Sequence, residues 1–270
     1  MTLRLLVAYD GTDFAGFQSQ PDRRTVQGVL EEALATVAGE TVRVRAAGRT
    51  DAGVHALGQV ASMEASLQPE IVLRAMAATL PADVAVVDAE PAPEEFDARR
   101  SALWRSYTYL IWACDAPHPL YRKYALWARR HLDPYRMDEA LRGLVGTFDF
   151  TSFGRVREDQ APVRTVTEAS CIDDPPFVRI RVTGQSFLHQ MVRSIVGCAL
   201  EIGAGRRTPG WMRDVLAAAD RAAAGPVAPA HGLTLTDVGY DAVTWPRRAP
   251  LTWPWSDRLT ATSECAGRLA

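Results

Sequence analysis

Two strand-like runs, "TVRVRAA" (41–47) and "GQVASME" (58–64), flank the ten residues "GRTDAGVHAL". The first run alternates apolar and polar residues as a half-buried strand does, and the second is strand-like again. The chain must turn sharply between them while carrying Arg49, Asp51 and His55 through the turn. Gly48 and Gly53 permit backbone geometry that residues with a side chain resist, so a sharp loop can present Asp51 and Arg49 together.

The alternation of element types continues along the chain. "LRLLVAYDGT" reads as a strand closed by a turn. Thr25 is suited to cap a helix whose Val26, Val29, Leu30, Ala33, Leu34 and Val37 share one face and which Gly39 ends. Pro69 starts a second helix through about Leu80, and "ADVAVVDAE" returns as a strand. After the Pro-rich "EPAPEEFDARR", the aromatic alternation of "WRSYTYLIWAC" predicts another strand. "MDEALRGLVG" reads as a helix, and "RTVTEASCID" and "FVRIRVTG" as two strands joined at "DDPP", whose charge and prolines suit a hairpin turn. "SFLHQMVRSIVGCALEIGAG" is helical in spacing and nearly apolar, so it is expected to be buried. Thr208 as cap and Pro209 in the first turn open "PGWMRDVLAAADR" as a last helix, and "LTLTDVGY" closes as a strand. Strands and helices follow in similar order in both halves. The expected fold is α+β, with two similar lobes, each a mostly antiparallel sheet with helices packed on one face. The boundaries read as 1–103 for the N-terminal lobe with the Asp51 loop, 104–243 for the C-terminal lobe and 244–270 for a Pro/Trp-rich tail.

Composition narrows the function classes. The 270 residues are 47% hydrophobic, an ordinary value for a soluble globular chain. No run of 18 or more apolar residues occurs, and the first residues read as a strand rather than a leader, so no membrane role is expected and the cytoplasm is the expected location. Cys114, Cys171, Cys198 and Cys265 are far apart and read as reduced thiols without a CxxC pair; the five histidines show no HxH or HExxH spacing. No metal is expected. The net charge of −2 alone argues against nucleic acid, yet of the 30 basic residues only Lys123 is a lysine, and the arginines come in close sets. A planar guanidinium suits bidentate phosphate contacts and stacking on bases. A GC-rich genome accounts for the overall skew; the clustering is the informative part.

Four places could carry chemistry. At Asp51 the bland reading is a capped turn; against it stands Arg49, close enough to hold the carboxylate ionised and fit to act as a nucleophile or to stabilise a cation. In "SYTYL", Tyr107 and Tyr109 share one strand face, where a ring can stack on a flipped base or fill the core. Arg193 lies in a helix too apolar to bury a guanidinium unpaired, so a carboxylate or phosphate is expected beside it, whereas His189 reads as a core or edge histidine. "AYDGTDF" resembles the nucleophile strand of haloacid-dehalogenase-type phosphatases, but Ala8 stands where the attacking Asp would be, so the phosphatase reading falls. A non-catalytic RNA-binding protein would explain the arginines and the aromatic strand but gives no reason for an Arg-Thr-Asp loop among glycines.

The motifs together resemble the tRNA pseudouridine synthase A family. "YDGTDFAGFQSQ" is similar to its opening Tyr-Asp-Gly-Thr-x-Phe-x-Gly-Trp-Gln, with Phe17 in place of tryptophan, and "AGRTDAGVHALGQV" matches its active-site motif almost letter for letter. "LPADVAV", "FDARRSALWRSYTYLIW", "GTFDFTSF", "FLHQMVRSIVG" and "GLTLTDVGY" follow in the family's order. The resemblance implies the pseudouridine synthase fold, its two lobes forming a basic cleft, and a cofactor-free isomerase that converts uridines at positions 38 to 40 of the tRNA anticodon arm to pseudouridine. By position it implies Asp51 as nucleophile, Arg49 as its ionic partner, Tyr107 stacked on the target base, and Arg193 as an active-site arginine. Arg99, Arg100, Arg155 and Arg157 fall in RNA-contacting segments. It also implies a homodimer whose partner molecule is tRNA.

Overall fold

A strand that exchanges hydrogen bonds on both edges can bury nearly every side chain, and the first strand does so. In the computed structural model, which describes residues 1–64, 66–156 and 161–241, Leu3, Leu5 and Val7 of this strand are fully buried. The elements, in chain order, are β1 (Thr2–Tyr9), α1 (Val26–Ala38), β2 (Val44–Ala46), β3 (His55–Glu64), α2 (Pro69–Thr79), β4 (Val84–Pro91), β5 (Trp104–Trp112), β6 (Leu126–Trp127), α3 (Pro134–Arg142), β7 (Gly146–Asp149), β8 (Val163–Asp174), β9 (Phe177–Gly184), α4 (Met191–Gly203), α5 (Trp211–Ala218) and β10 (Leu233–Gly239). Short 3-10 turns punctuate them. The class is α+β, with strand pairs mostly antiparallel.

The described chain forms two units. Of the described residues, the first comprises 1–105 and 234–241 and the second 106–233. In the first, the strands run β4-β1-β3-β10, with the short β2 also on β3. β1 is antiparallel to both neighbours, pairing Leu5 with Ala61 of β3 and with Ala89 of β4. β10 joins parallel to β3, Thr234 opposite His55. A parallel partner cannot come from a tight hairpin; here it is delivered by a chain that has first built the whole second unit. Helices α1 and α2 pack together, with α1 against β2 and α2 against β4.

Helix α1 follows its sequence closely. The Thr25 hydroxyl accepts from the Gly28 amide at 3.2 Å, Gly39 follows its end, and Val26, Leu30, Ala33 and Leu34 are buried. The second unit runs β5-β9-β8-β7, with β6 parallel to β5. Helix α3 lies on β8 and against α4.

Two expected helices are shorter than their patterns. The apolar run from Ser186 does not become helical until Met191, because Gln190 sits at φ 65°, a left-handed conformation that cannot continue a helix. His189 therefore precedes α4; its carbonyl accepts from the Arg155 amide at 3.1 Å. The last helix starts at Trp211 rather than in the Pro209 turn, with Gly210 as its first flanking residue. The stretch 244–270, read from sequence as a tail, lies outside the described residues, and so does Cys265. Burial pushes the Cys171 thiol up to about 12 and raises that of Cys198, which suits inert core positions. Among the described residues no helix is long and apolar enough to cross a membrane, and no three His, Cys, Asp or Glu side chains converge as a metal site would require.

Candidate active site

The loop between β2 and β3 is held by hydrogen bonds on both sides of Asp51. At its start the Ala47 amide donates to the Val60 carbonyl at 2.7 Å. The side-chain amide of Gln59, fully buried, bridges to Gly48: its Nε2 donates to the Gly48 carbonyl at 2.7 Å and its Oε1 accepts from the Gly48 amide at 3.3 Å. The Tyr9 hydroxyl lies 2.8 Å from Thr50 Oγ1 and accepts from Gln59 Nε2 at 3.3 Å. Burial is the main influence on that phenol and pushes it up to about 12, with the bonds to Thr50 and Gln59 opposing, so it stays protonated and able to donate. The Thr50 carbonyl accepts from the Phe17 amide at 3.1 Å.

Beyond Asp51 the chain closes a turn, the Val54 amide donating to the Asp51 carbonyl at 3.1 Å, with Gly53 at φ 78°. Gly48 has no such left-handed angle; its contribution is its two bonds to Gln59. His55 is almost wholly buried, and its Nδ1 accepts from the Gly11 amide at 3.0 Å, which puts the ring proton on Nε2. Asp10 Oδ1 lies 3.2 Å from the same nitrogen and accepts from the Thr12 amide at 3.0 Å. A Cβ at Gly11 would lie 2.0 Å from the Val54 carbonyl oxygen, so "YDGT" can dock on the loop only with glycine there. Asp51 itself is half-buried and Arg49 exposed. The backbone is thus clamped on both sides of a carboxylate that keeps access to solvent.

A buried arginine links this loop to the segment that carries Arg99 and Arg100. Arg105, only 7% exposed, donates from Nε and Nη2 to the Ala47 carbonyl at 3.1 and 2.8 Å, from Nη1 to Ala102 at 3.1 Å and from Nη2 to Arg99 at 2.6 Å. A buried guanidinium is tolerated because carbonyls occupy its planar fork. The segment is held further by Ala98, whose amide donates to Ser62 Oγ and whose carbonyl accepts from the Tyr240 hydroxyl. Asp97 Oδ1 accepts from the amides of Arg99 and Arg100 at 2.9 and 3.0 Å. Burial alone would raise the Asp97 carboxyl, but those amides and the Arg45 guanidinium outweigh it and hold it below the usual carboxylate range. The side chains of Arg99 and Arg100 are exposed.

In the second unit Tyr107 projects from β5 with its ring edge-on to Phe187, centroids 5.4 Å apart, and is 8% exposed. Tyr109, on the same strand, is a core residue: its hydroxyl donates to the Pro229 carbonyl at 2.9 Å, and burial raises its phenol. Arg193 stands in the first turn of α4, and a backbone carbonyl is among its partners: Nε donates to Ala228 at 2.8 Å, and the Ala228 amide returns a bond to the Arg193 carbonyl at 3.0 Å. The strap 226–229 lies so close to α4 that a Cβ at Gly197 would fall 1.7 Å from the Pro226 oxygen. Arg155 is exposed, bridged through its backbone to His189; Arg157 lies outside the described residues. Asp51, Arg49, Arg99 and Arg100 thus belong to the first unit, and Tyr107, Arg193 and Arg155 to the second. Sequence reading missed Tyr9, Gln59, His55 and Arg105 as supports of the loop. The available signal was polar residues inside otherwise apolar strands, "LVAY", "GQVA" and "LWRS".

Comparison with known proteins converges on one family. The pattern described as tRNA pseudouridine synthase matches residues 5–99 and 140–241. A protein of Geobacillus kaustophilus named tRNA pseudouridine synthase A is 45% identical over 245 residues, covering 88% of this chain and 94% of its own. Its namesake in Agrobacterium fabrum is 44% identical over 253 residues (92% and 95%), and that of Chloroflexus aurantiacus 46% over 246 (88% of each).

Two outcomes follow from the clamp. Tyr9→Phe leaves Thr50 and Gln59 short of a buried partner and is expected to cost about 1–3 kcal/mol in urea unfolding. Amide exchange at Thr50 and Val54 should quicken with it; unchanged exchange there would detach Tyr9 from the loop. The Asp97 carboxyl, depressed in the folded protein, contributes stability that is full above the ordinary carboxylate range and is lost as pH falls through its lowered value. Asp97→Asn should therefore flatten the acid limb of a stability-against-pH curve, and an acid limb identical to the parent's would contradict the assignment.

Proposed function

Since the chain belongs to the tRNA pseudouridine synthase family, and so is an isomerase that converts uridine in tRNA to pseudouridine, we propose that its targets are positions 38, 39 and 40 of the anticodon stem-loop, with the Asp51 carboxylate as nucleophile. The observation that carries the role of Asp51 is the clamped loop: hydrogen bonds fix the backbone at Ala47, Gly48, Thr50 and Val54, while the carboxylate stays half-buried. Rigid placement of a reacting group is what a nucleophile requires, since misplacement by an ångström forfeits rate. The motif "AGRTDAGVHALGQV" supports the choice of residue and of target positions.

The reaction breaks the N1–C1′ bond of uridine, turns the uracil and forms a C5–C1′ bond; C5 gives up its proton and N1 gains one, so composition is unchanged. Asp51 assists by attacking C1′ or C6 or by promoting elimination to a glycal, and each route uses its carboxylate. The uridine must leave its stack at a cost of a few kcal/mol. Stacking on Tyr107 returns about 1–3 kcal/mol of that. Arg193, braced at Nε by the Ala228 carbonyl, lies in the base-binding machinery, and Arg99, Arg100, Arg155 and Arg157 meet RNA phosphates. The enzyme works as a homodimer in the cytoplasm and takes no cofactor or metal.

Asp51→Asn is expected to bind tRNA as the parent does and to release no tritium from C5-labelled uridine, a loss of about 10⁴-fold or more on the scale at which removed nucleophiles act. Release at the parental rate would remove Asp51 from the chemistry. Tyr107→Phe tests whether the phenol helps take the C5 proton: retained binding with lost turnover is the expected result, and an active Phe variant limits Tyr107 to stacking.

A further inference from the structure

The function above leaves one strongly charged part of the second unit unused. Residues 121–136 carry five basic side chains and one acidic one, and the turn after α4 adds Arg206 and Arg207. Backbone and side-chain bonds bring the two segments to one end of the unit. The Asp133 amide donates to the Gly203 carbonyl at 2.9 Å, and Arg136 Nη2 donates to the Arg207 carbonyl at 3.2 Å. The acidic groups nearby are mostly committed. Asp133 caps α3, accepting from the Tyr135 and Arg136 amides, and Glu201 is paired with Arg206 at 2.6 Å. Asp214 is exposed on α5. Arg129, Arg130 and Arg207 are exposed, and among the described residues only Arg207 of the three acts on a nearby carboxylate, helping Arg206 to hold the Glu201 carboxyl below its ordinary value.

Two of these cations lie over indole rings, Arg129 above Trp127 at 5.5 Å and Arg207 above Trp211 at 5.0 Å. A guanidinium drawn to an aromatic face keeps N–H groups that can donate to a phosphate. Basic side chains outnumber acidic ones on these two segments, with Glu201 shared between Arg206 and Arg207, and such an excess of positive charge costs self-repulsion unless an anion relieves it. Ten residues of α4 separate Arg193 from Gly203, about 15 Å at 1.5 Å per residue. A polyanion held at the base by Arg193 must therefore extend several nucleotides to reach this end.

We propose that Arg129, Arg130 and Arg207 form a second RNA-binding surface, which takes the sugar–phosphate backbone of the substrate tRNA away from the reacting uridine. The proposal rests on the reading of Arg193 as a base-site residue only for its distance; the charge pattern stands without it. The surface positions and does not catalyse: phosphate contacts fix register and dominate the salt dependence of affinity.

The test compares the parent with R129A/R130A/R207A, and with Arg74→Ala of the exposed face of α2 as a control for simple loss of charge. The dissociation constant for full-length tRNA is measured from low to physiological salt, alongside tritium release. The triple variant should show a log–log salt slope shallower by about 2 to 3, one contact per arginine. Its KM should rise about tenfold at unchanged kcat, and R74A should match the parent. Parental slope and KM in the triple variant would overturn the proposal, as would a fall in kcat alone. Conversion of a dimer to a monomer with the salt slope unaltered would assign the surface to a second copy of the chain and overturn it too. The base-site reading fails separately: an Arg193→Ala variant with parental turnover would sink that reading while leaving the salt slopes as they are.

Discussion

The hydroxyl of Tyr9, buried and bonded to both Thr50 and Gln59, is the contact on which the candidate site depends. It joins the strand at the centre of the first unit to the loop that carries Asp51. Without a partner each of these polar groups would be a liability in so dry a place; together they convert that liability into a rigid mount. Gln59 extends the mount to Gly48, and Arg105 extends it through Ala47 to the turn bearing Arg99 and Arg100. A carboxylate meant to react needs a fixed position and access, and the structure supplies the first through neighbours of Asp51 rather than by burying Asp51 itself.

The second unit uses the same device with different parts. Arg193 would be an expensive residue on an apolar helix, and the strap from Pro226 offsets the cost with a carbonyl at Ala228, lying close because Gly197 has no side chain. Tyr109 then fastens the strap to β5 through Pro229. Tyr107, two residues earlier on the same face of that strand, packs edge-on to Phe187. The two tyrosines differ in their partners, Pro229 for one and Phe187 for the other, which alternation along the strand does not reveal.

Much of this was legible in the residues. Thr25, the apolar face of α1 and Gly39 specify that helix because cap, period and stop are all local signals. The glycine-flanked Asp51 loop was legible for the same reason. What was hidden depends on distant partners. Tyr9 and Gln59 are 50 residues apart in sequence, and nothing near either one announces the other. Arg105 is one more arginine beside an aromatic strand in the sequence, and nothing local announces that it is buried among carbonyls. The onset of α4 was misjudged because its apolar period runs on through residues 186–190, where a left-handed Gln190 interrupts the backbone without altering the pattern. Strand β7 was missed because three of its four residues are exposed and so show no alternation.

The central claim is that the Asp51 loop serves the uridines of one arm of tRNA. Nucleotide-resolution mapping of pseudouridine in unmodified tRNA after incubation with the purified protein tests it most directly. The account predicts new pseudouridine at positions 38, 39 and 40 wherever uridine stands there, and at no other site. Pseudouridine appearing elsewhere in the tRNA, with those three positions untouched, would contradict it.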